Sequence, residues 1–202
     1  MYATDIGANT VRRINLTTGG VQTIADGFAF PWGLWGEGKT LYVASSSSGR
    51  IQQVDLATGG SSDVAVTGSG TPRNCSLGSG CLGYFVPGPR SMWADGKSLY
   101  ISGYSGTVKR VDLATGTQTP LPAVPFNVGP IVGKAGRLFV AGIAGAQLGS
   151  LSLDTGAFTP IPLPPDNLSI SALWSDATTF ISHKVSIRAG KRFDVSICRQ
   201  AK

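Results

Sequence analysis

Histidine and glutamate are nearly missing from this 202-residue chain: His183 is its one imidazole and Glu37 its one glutamate, beside ten aspartates. Paired imidazoles of the kind that hold a catalytic metal cannot come from such a sequence. A serine nucleophile would need His183 as its base, and nothing in the sequence sets a serine beside it. Only 14% of residues are charged. No apolar run reaches the ~18 residues of a bilayer span, so no membrane span is expected. No 11-residue window carries apolar residues at helical spacing, which speaks against a helical architecture. A glycine-rich phosphate loop between a strand and a helix is also absent. No cofactor and no metal site are expected, and no residue is assigned a catalytic role.

What the chain has instead is repetition. A six-residue phrase reads Ile14-Asn-Leu-Thr-Thr-Gly19, Val54-Asp-Leu-Ala-Thr-Gly59, Val111-Asp-Leu-Ala-Thr-Gly116 and Leu151-Ser-Leu-Asp-Thr-Gly156. The starts at 14, 54, 111 and 151 are spaced 40, 57 and 40 residues apart, so the middle step is one period plus an insertion of 17. A second phrase precedes it at constant phase, as Pro31-Trp-Gly-Leu-Trp-Gly-Glu-Gly-Lys-Thr-Leu-Tyr-Val-Ala44 and Pro89-Arg-Ser-Met-Trp-Ala-Asp-Gly-Lys-Ser-Leu-Tyr-Ile-Ser102. Weaker copies start at Gly129 and Ile170, and Met1-Tyr-Ala-Thr4 matches only its tail. The segments are short, β-branched or aromatic, and punctuated by Gly, Asp, Ser and Thr, which is strand and turn chemistry. One unit predicts strands at Gly33–Trp35, Leu41–Ala44, Ile51–Leu56 and Ser62–Val66. Four antiparallel strands per ~40 residues, repeated, predict an all-β fold of β-propeller blades. A β-sandwich also uses short strands but does not require them to repeat in sequence.

The pattern Pro-x-Gly-Leu-Trp, Leu-Tyr-Val-Ala and Gly-x-Ile-x-x-Val-Asp-Leu-x-Thr-Gly resembles NHL-type and related six- or seven-bladed propeller repeats over residues 1 to about 182. That resemblance implies architecture rather than activity, because such repeats serve both lyases and binding scaffolds. About four and a half units are legible, which predicts four to five blades. An incomplete propeller cut from a longer parent is the simpler expectation, and a small closed ring of five blades is the alternative. Residues 1–183 form the blades, with the insertion near 68–85; residues 184–202 form a divergent basic tail, with Val185–Ile187 and Phe193–Ile197 as possible last-blade strands.

The net charge of +6 resides mostly in that tail, which holds six basic residues against Asp194. Aromatics do not interleave with them, so nucleic acid is not an expected partner. Within the insertion, Cys75 and Cys81 are expected to form a disulfide, worth about 2 kcal/mol for a small loop, and hence an oxidising compartment. An extracytoplasmic or secreted protein is expected, its export signal lying outside this sequence, since Met1-Tyr-Ala-Thr-Asp5 reads as a strand. Trp35, Trp93 and Trp174 share one repeat position and are expected to pack between blades. Asp55, Asp112 and Asp154 lie in or beside the repeated turns, where short polar side chains bond the local backbone.

In a four-stranded blade, the links into the first strand and between the second and third emerge on one face. Here that face collects every irregular loop, and function concentrates on such loops. The candidate ligand-binding residues are Phe30, Trp32, Tyr84, Arg90, Tyr104 and Phe126, a set suited to a protein, peptide or glycan. The expected function is a non-enzymatic scaffold. The alternative is part of a propeller lyase or lactonase-type hydrolase whose catalytic residues lie mostly outside this chain.

Overall fold

In the computed structural model the described residues are 1–67, 88–103, 107–143, 147–163, 170–175, 180–184 and 196–199. They contain no helix. Blade 1 holds β1 (Tyr2–Asp5), β2 (Thr10–Ile14) and β3 (Val21–Ala25); blade 2 holds β4 (Pro31–Glu37), β5 (Thr40–Ser45), β6 (Arg50–Asp55) and β7 (Ser61–Val66). Blade 3 holds β8 (Pro89–Ala94), β9 (Ser98–Gly103), β10 (Val108–Asp112) and β11 (Gln118–Pro120). Blade 4 holds β12 (Val128–Lys134), β13 (Arg137–Gly142), β14 (Leu148–Ser152) and β15 (Phe158–Pro160); blade 5 holds β16 (Ile170–Ser175), β17 (Phe180–Lys184) and β18 (Ser196–Arg199). Every sheet is an antiparallel meander in chain order. The first, second and fourth strands of blade 2 extend the sequence-based spans by a residue or two, the third is shifted one residue toward the N-terminus and leaves Leu56 in the turn, and the order is kept.

The repeated six-residue phrase builds the turn between third and fourth strands. The side-chain oxygen of Asp55 accepts from the backbone N–H of Ala57 at 2.7 Å and of Thr58 at 3.2 Å. Asn15, Asp112 and Ser152 accept from the same turn in their blades. Backbone donors from Thr115 and Ala114, with the Thr115 hydroxyl, hold the Asp112 carboxyl below its ordinary range. The glycine closing each phrase sits at a φ near 70°, as at Gly59 and Gly116, where a side chain would strain the backbone. In the fourth copy it is Ser152, not Asp154, that takes the capping position.

The core lies between blades. Alternate residues of β5 face opposite neighbours: Leu41 and Val43 pack with Val11, Ala25 and Phe28 of blade 1 and its link, whereas Tyr42 and Ala44 pack with Met92, Leu99 and Ile101 of blade 3. A period of two thus feeds two interfaces from one strand. Tyr100 and Val108 of blade 3 likewise meet Ile131, Leu138 and Val140 of blade 4. Each fully buried Leu, Ile or Val contributes roughly 2 kcal/mol. The first strands β4, β8, β12 and β16 stand in succession, each against the next, and form the inner row of the blades.

Close approach in that row rests on small residues. Trp35 of β4 packs on the cluster containing Ala94 of β8, and Trp93 of β8 lies on Gly133 of β12. A Cβ built at Gly133 would stand 2.3 Å from the Trp93 ring. The two indoles meet edge-on at 6.4 Å. Trp174 of β16 takes the same register position opposite the second strand of its blade. Hydroxyls add polar ties across blades: Ser46 Oγ donates to the Pro89 carbonyl at 2.6 Å, and Ser102 Oγ to the Gly129 carbonyl at 2.5 Å.

The insertion with Cys75 and Cys81 lies outside the described residues, as does Val185–Ile187. Lys184 belongs to β17, and β18 pairs with β17 from Ser196 to Arg199.

Candidate binding site on the loop face

Each inner strand enters its sheet through a register shift: between Pro31 and Gly33, Pro89 and Ser91, Val128 and Ile131, and Ile170 and Ala172. A bulge re-aims the side chain it carries. The residues at the shift are Trp32 in blade 2 and Arg90 in blade 3, with Gly129 and Ser171 at the corresponding places in blades 4 and 5. The same position therefore carries a different residue in blades 2 to 5.

Gly33 brings two of those groups together. It is buried, and a Cβ built on it would lie 2.5 Å from the Arg90 carbonyl oxygen. Without that side chain, β8 approaches β4 at the level of the bulges. The Arg90 guanidinium then lies over the Trp32 ring, 4.6 Å from its centroid. Phe30 stacks on Trp32 with centroids 5.9 Å apart and planes 21° from parallel. Trp32 remains 43% exposed. A cation over an indole is worth roughly 0.5–1 kcal/mol at an exposed site.

The backbone beneath this group is strained and held. Phe30 adopts a φ of 58°, which a bulky residue rarely takes. Its N–H donates to Asn9 Oδ1 at 3.0 Å, and its carbonyl accepts from the Ser46 N–H at 3.0 Å. The Ala29 carbonyl accepts from the Ser47 N–H at 3.1 Å, and the Phe28 N–H donates to the Asn9 carbonyl at 3.3 Å. Loops of blades 1 and 2 thus grip the link between them on both sides. Asn9 itself has a φ of 55°, a conformation Asn tolerates better than most residues. Strain of this kind costs on the order of 1–3 kcal/mol and persists only where the surroundings enforce it.

Of the six candidates, Phe30, Trp32 and Arg90 meet at one rim. Phe126 stands apart: it makes an edge-on contact with Phe158 at 5.8 Å and packs beside the core between blades 3 and 4. Tyr84 and Tyr104 lie outside the described residues. Among the described residues, no group of three His, Cys, Asp or Glu side chains could hold a metal ion. Glu37 lies at the far end of β4, where a tight turn leads into β5. Sequence reasoning missed Asn9 and Ser46, which position the aromatic pair. Asn9 in a short turn was a signal for positive φ; nothing marked Phe30 as sharing it.

No family model matches the chain, and no curated protein sequence matches it. Many solved structures do. Virginiamycin B lyase from Staphylococcus aureus is similar with a TM-score of 0.67 at 14% identity, over 100% of this chain and 67% of that one. A chain of the nidogen/laminin complex gives 0.70 at 14% identity, over 91% of this chain and 69% of its own. The computationally designed Ika4 protein gives 0.57 at 12% identity, over 89% of this chain and 99% of its own. At such identities the likeness carries the fold alone: the chain is built of β-propeller blades.

Proposed function

We propose that this chain belongs to a non-enzymatic, extracytoplasmic β-propeller scaffold that holds a protein, peptide or glycan on its loop face. Phe30, Trp32 and Arg90 make the first contacts. The observation that carries this reading is the strained, doubly clamped Phe30 backbone beneath the exposed Trp32 ring, with Phe30 and the half-buried Arg90 against it. Rigid aromatic residues and arginine are the side chains that anchor interfaces, because they bury much surface at little conformational cost. The described part of this rim offers apolar faces and one guanidinium rather than an acid–base pair. The repeat phrases support an NHL-type ancestry, and the nidogen/laminin neighbour belongs to a complex between proteins.

The test compares wild type with Trp32→Ala on arrays of immobilised oligosaccharides and linear peptides. Saturable binding to one class, weakened at least tenfold in Trp32→Ala with the melting temperature unchanged, is expected. Binding that ignores the substitution overturns the reading, and no binding to either class removes its peptide and glycan forms. The lyase reading draws on the Staphylococcus aureus neighbour. Stoichiometric Ca or Zn, lost to chelator together with thermal stability, would favour it over a scaffold.

A further inference from the structure

Two aspartates in the chain precede a glycine, Asp26 and Asp95. All four residues of these pairs are exposed, and Gly27 and Gly96 both take positive φ, 79° and 86°. The pairs differ in what holds the carboxylate. Asp95 Oδ1 accepts from the Lys97 N–H at 3.0 Å and the Ser98 N–H at 2.8 Å, and Oδ2 accepts from the Tyr100 hydroxyl at 3.2 Å. Through such local bonds an aspartate closes its own turn. Asp26 has none: among the described residues, neither its carboxylate nor the Gly27 N–H has a partner.

A free carboxyl beside an unhindered amide can react with it. Glycine has no Cβ to shield its nitrogen. At Gly27 even an added Cβ would meet nothing within 4 Å, whereas at Gly96 it would meet Glu37 Oε1 at 3.4 Å. We propose that Asp26 is a self-modifying site, where the fold permits conversion of aspartate to isoaspartate while it suppresses the same reaction at Asp95. The Gly27 nitrogen attacks Cγ of the Asp26 carboxylic acid. A C–N bond forms, a C–O bond breaks and water leaves, giving a five-membered succinimide. Water then opens the ring. Opening at Cγ returns aspartate; opening at the α-carbonyl leaves the chain running through Cβ and Cγ, with a free α-carboxylate. One water is lost and one regained, and no other reactant is consumed. At Asp95 three hydrogen bonds oppose the rotation that brings Cγ to the Gly96 nitrogen, and bonds to a carboxylate are among the stronger ones.

The new linkage adds one backbone atom at the start of the link between blades 1 and 2. Phe28, two residues on, is 4% exposed in the core shared by those blades, and its N–H reaches the Asn9 carbonyl at 3.3 Å. Phe30 follows, its positive φ held by Asn9. Conversion therefore slackens the segment that carries the aromatic rim. The α-carboxylate it leaves is the group that S-adenosylmethionine-dependent methyltransferases esterify on isoaspartyl proteins, which makes the converted chain a substrate for that class of repair enzyme.

The test ages the folded full chain in mildly acidic buffer and digests it with trypsin. Asp26 is the only aspartate in the peptide 14–39, and Asp95 the only one in 91–97. Isoaspartate, located by fragmentation between Cα and Cβ, is expected to form at Asp26 at least tenfold faster than at Asp95. In denaturant the two rates converge. Methyl acceptance by the aged protein from an isoaspartyl methyltransferase falls severalfold in Asp26→Glu and is unchanged in Asp95→Glu. Hydrogen exchange at the Phe28 and Phe30 amides is faster in the converted protein. Equal rates in the folded chain overturn the proposal, and so does a gap that persists in denaturant or methyl acceptance that ignores Asp26→Glu. Unchanged exchange at Phe28 and Phe30 overturns the slackening of the link.

Discussion

Gly36 and Gly133 hold the same place in blades 2 and 4, yet one faces solvent and the other lies under an indole ring. The difference shows that the glycine is not there for the strand. An extended strand tolerates any side chain at that point, and glycine weakens it. The residue is small because a tryptophan of the preceding blade must lie flat on it, and where no described strand supplies that tryptophan the same glycine stays bare. The junction between blades is therefore the unit of stability in this molecule, as expected of architectures in which each repeat contacts its neighbours.

The comparison breaks most directly by adding one methyl group at each place. Gly133→Ala drives a Cβ into the Trp93 ring and is expected to cost about 3 kcal/mol, at the upper end of overpacking effects. Gly36→Ala meets the tip of the Leu41 side chain at 3.1 Å and is expected to stay within about 0.5 kcal/mol. Denaturant melts of the two variants measure both numbers. Equal losses would show that strand geometry, not the indole, sets the residue.

A smaller contrast concerns the hydroxyls. Ser102 is fully buried and ties blade 3 to the Gly129 carbonyl, while Thr4, at the matching position, reaches the Trp32 carbonyl at a slack 3.4 Å. Ser102→Ala is expected to cost about 1 kcal/mol and Thr4→Ala about 0.3 kcal/mol. The same melts rank them.

The smallest expected effect is on pH dependence. Burial, then the nearby Asp95 carboxylate, raises the Tyr100 pKa above 10.0; burial, then Glu37, raises that of Tyr42. A phenol whose folded pKa exceeds its unfolded value gives stability that is complete below pH 10 and is lost as pH rises through the folded pKa. Tyrosinate absorbance should therefore appear late for these two rings. Tyr100→Phe should make stability fall less steeply above pH 10.

The fold was legible because its strongest constraints are local. A turn that needs an Asx oxygen, a Thr and a glycine at positive φ repeats wherever a blade repeats, so the 40-residue period survives in Val54–Gly59 and Val111–Gly116. Shared tryptophans at 35 and 93 could be assigned to packing for the same reason. The rim was only partly legible. Phe30, Trp32 and Arg90 are separated by up to 60 positions, and they meet through Gly33, whose contact with the Arg90 carbonyl is made across blades. Phe126 has the same composition signal as Phe30, but its loop folds onto Phe158 instead. The αL backbone of Phe30 is imposed by Asn9 and Ser46, and no propensity of phenylalanine announces it.

One property described for the sheets bears on how the chain reaches this structure. Among the described residues each strand bonds only the strand before or after it in sequence, so these ladders close short loops, and short closures are fast. Hairpins can mature one at a time as the polypeptide emerges, and docking of finished sheets becomes the slow, selective event. Two near-identical modules, those holding Val54-Asp-Leu-Ala-Thr and Val111-Asp-Leu-Ala-Thr, then compete for the same neighbours. Misordered stacking of these two is the kinetic hazard built into such regularity.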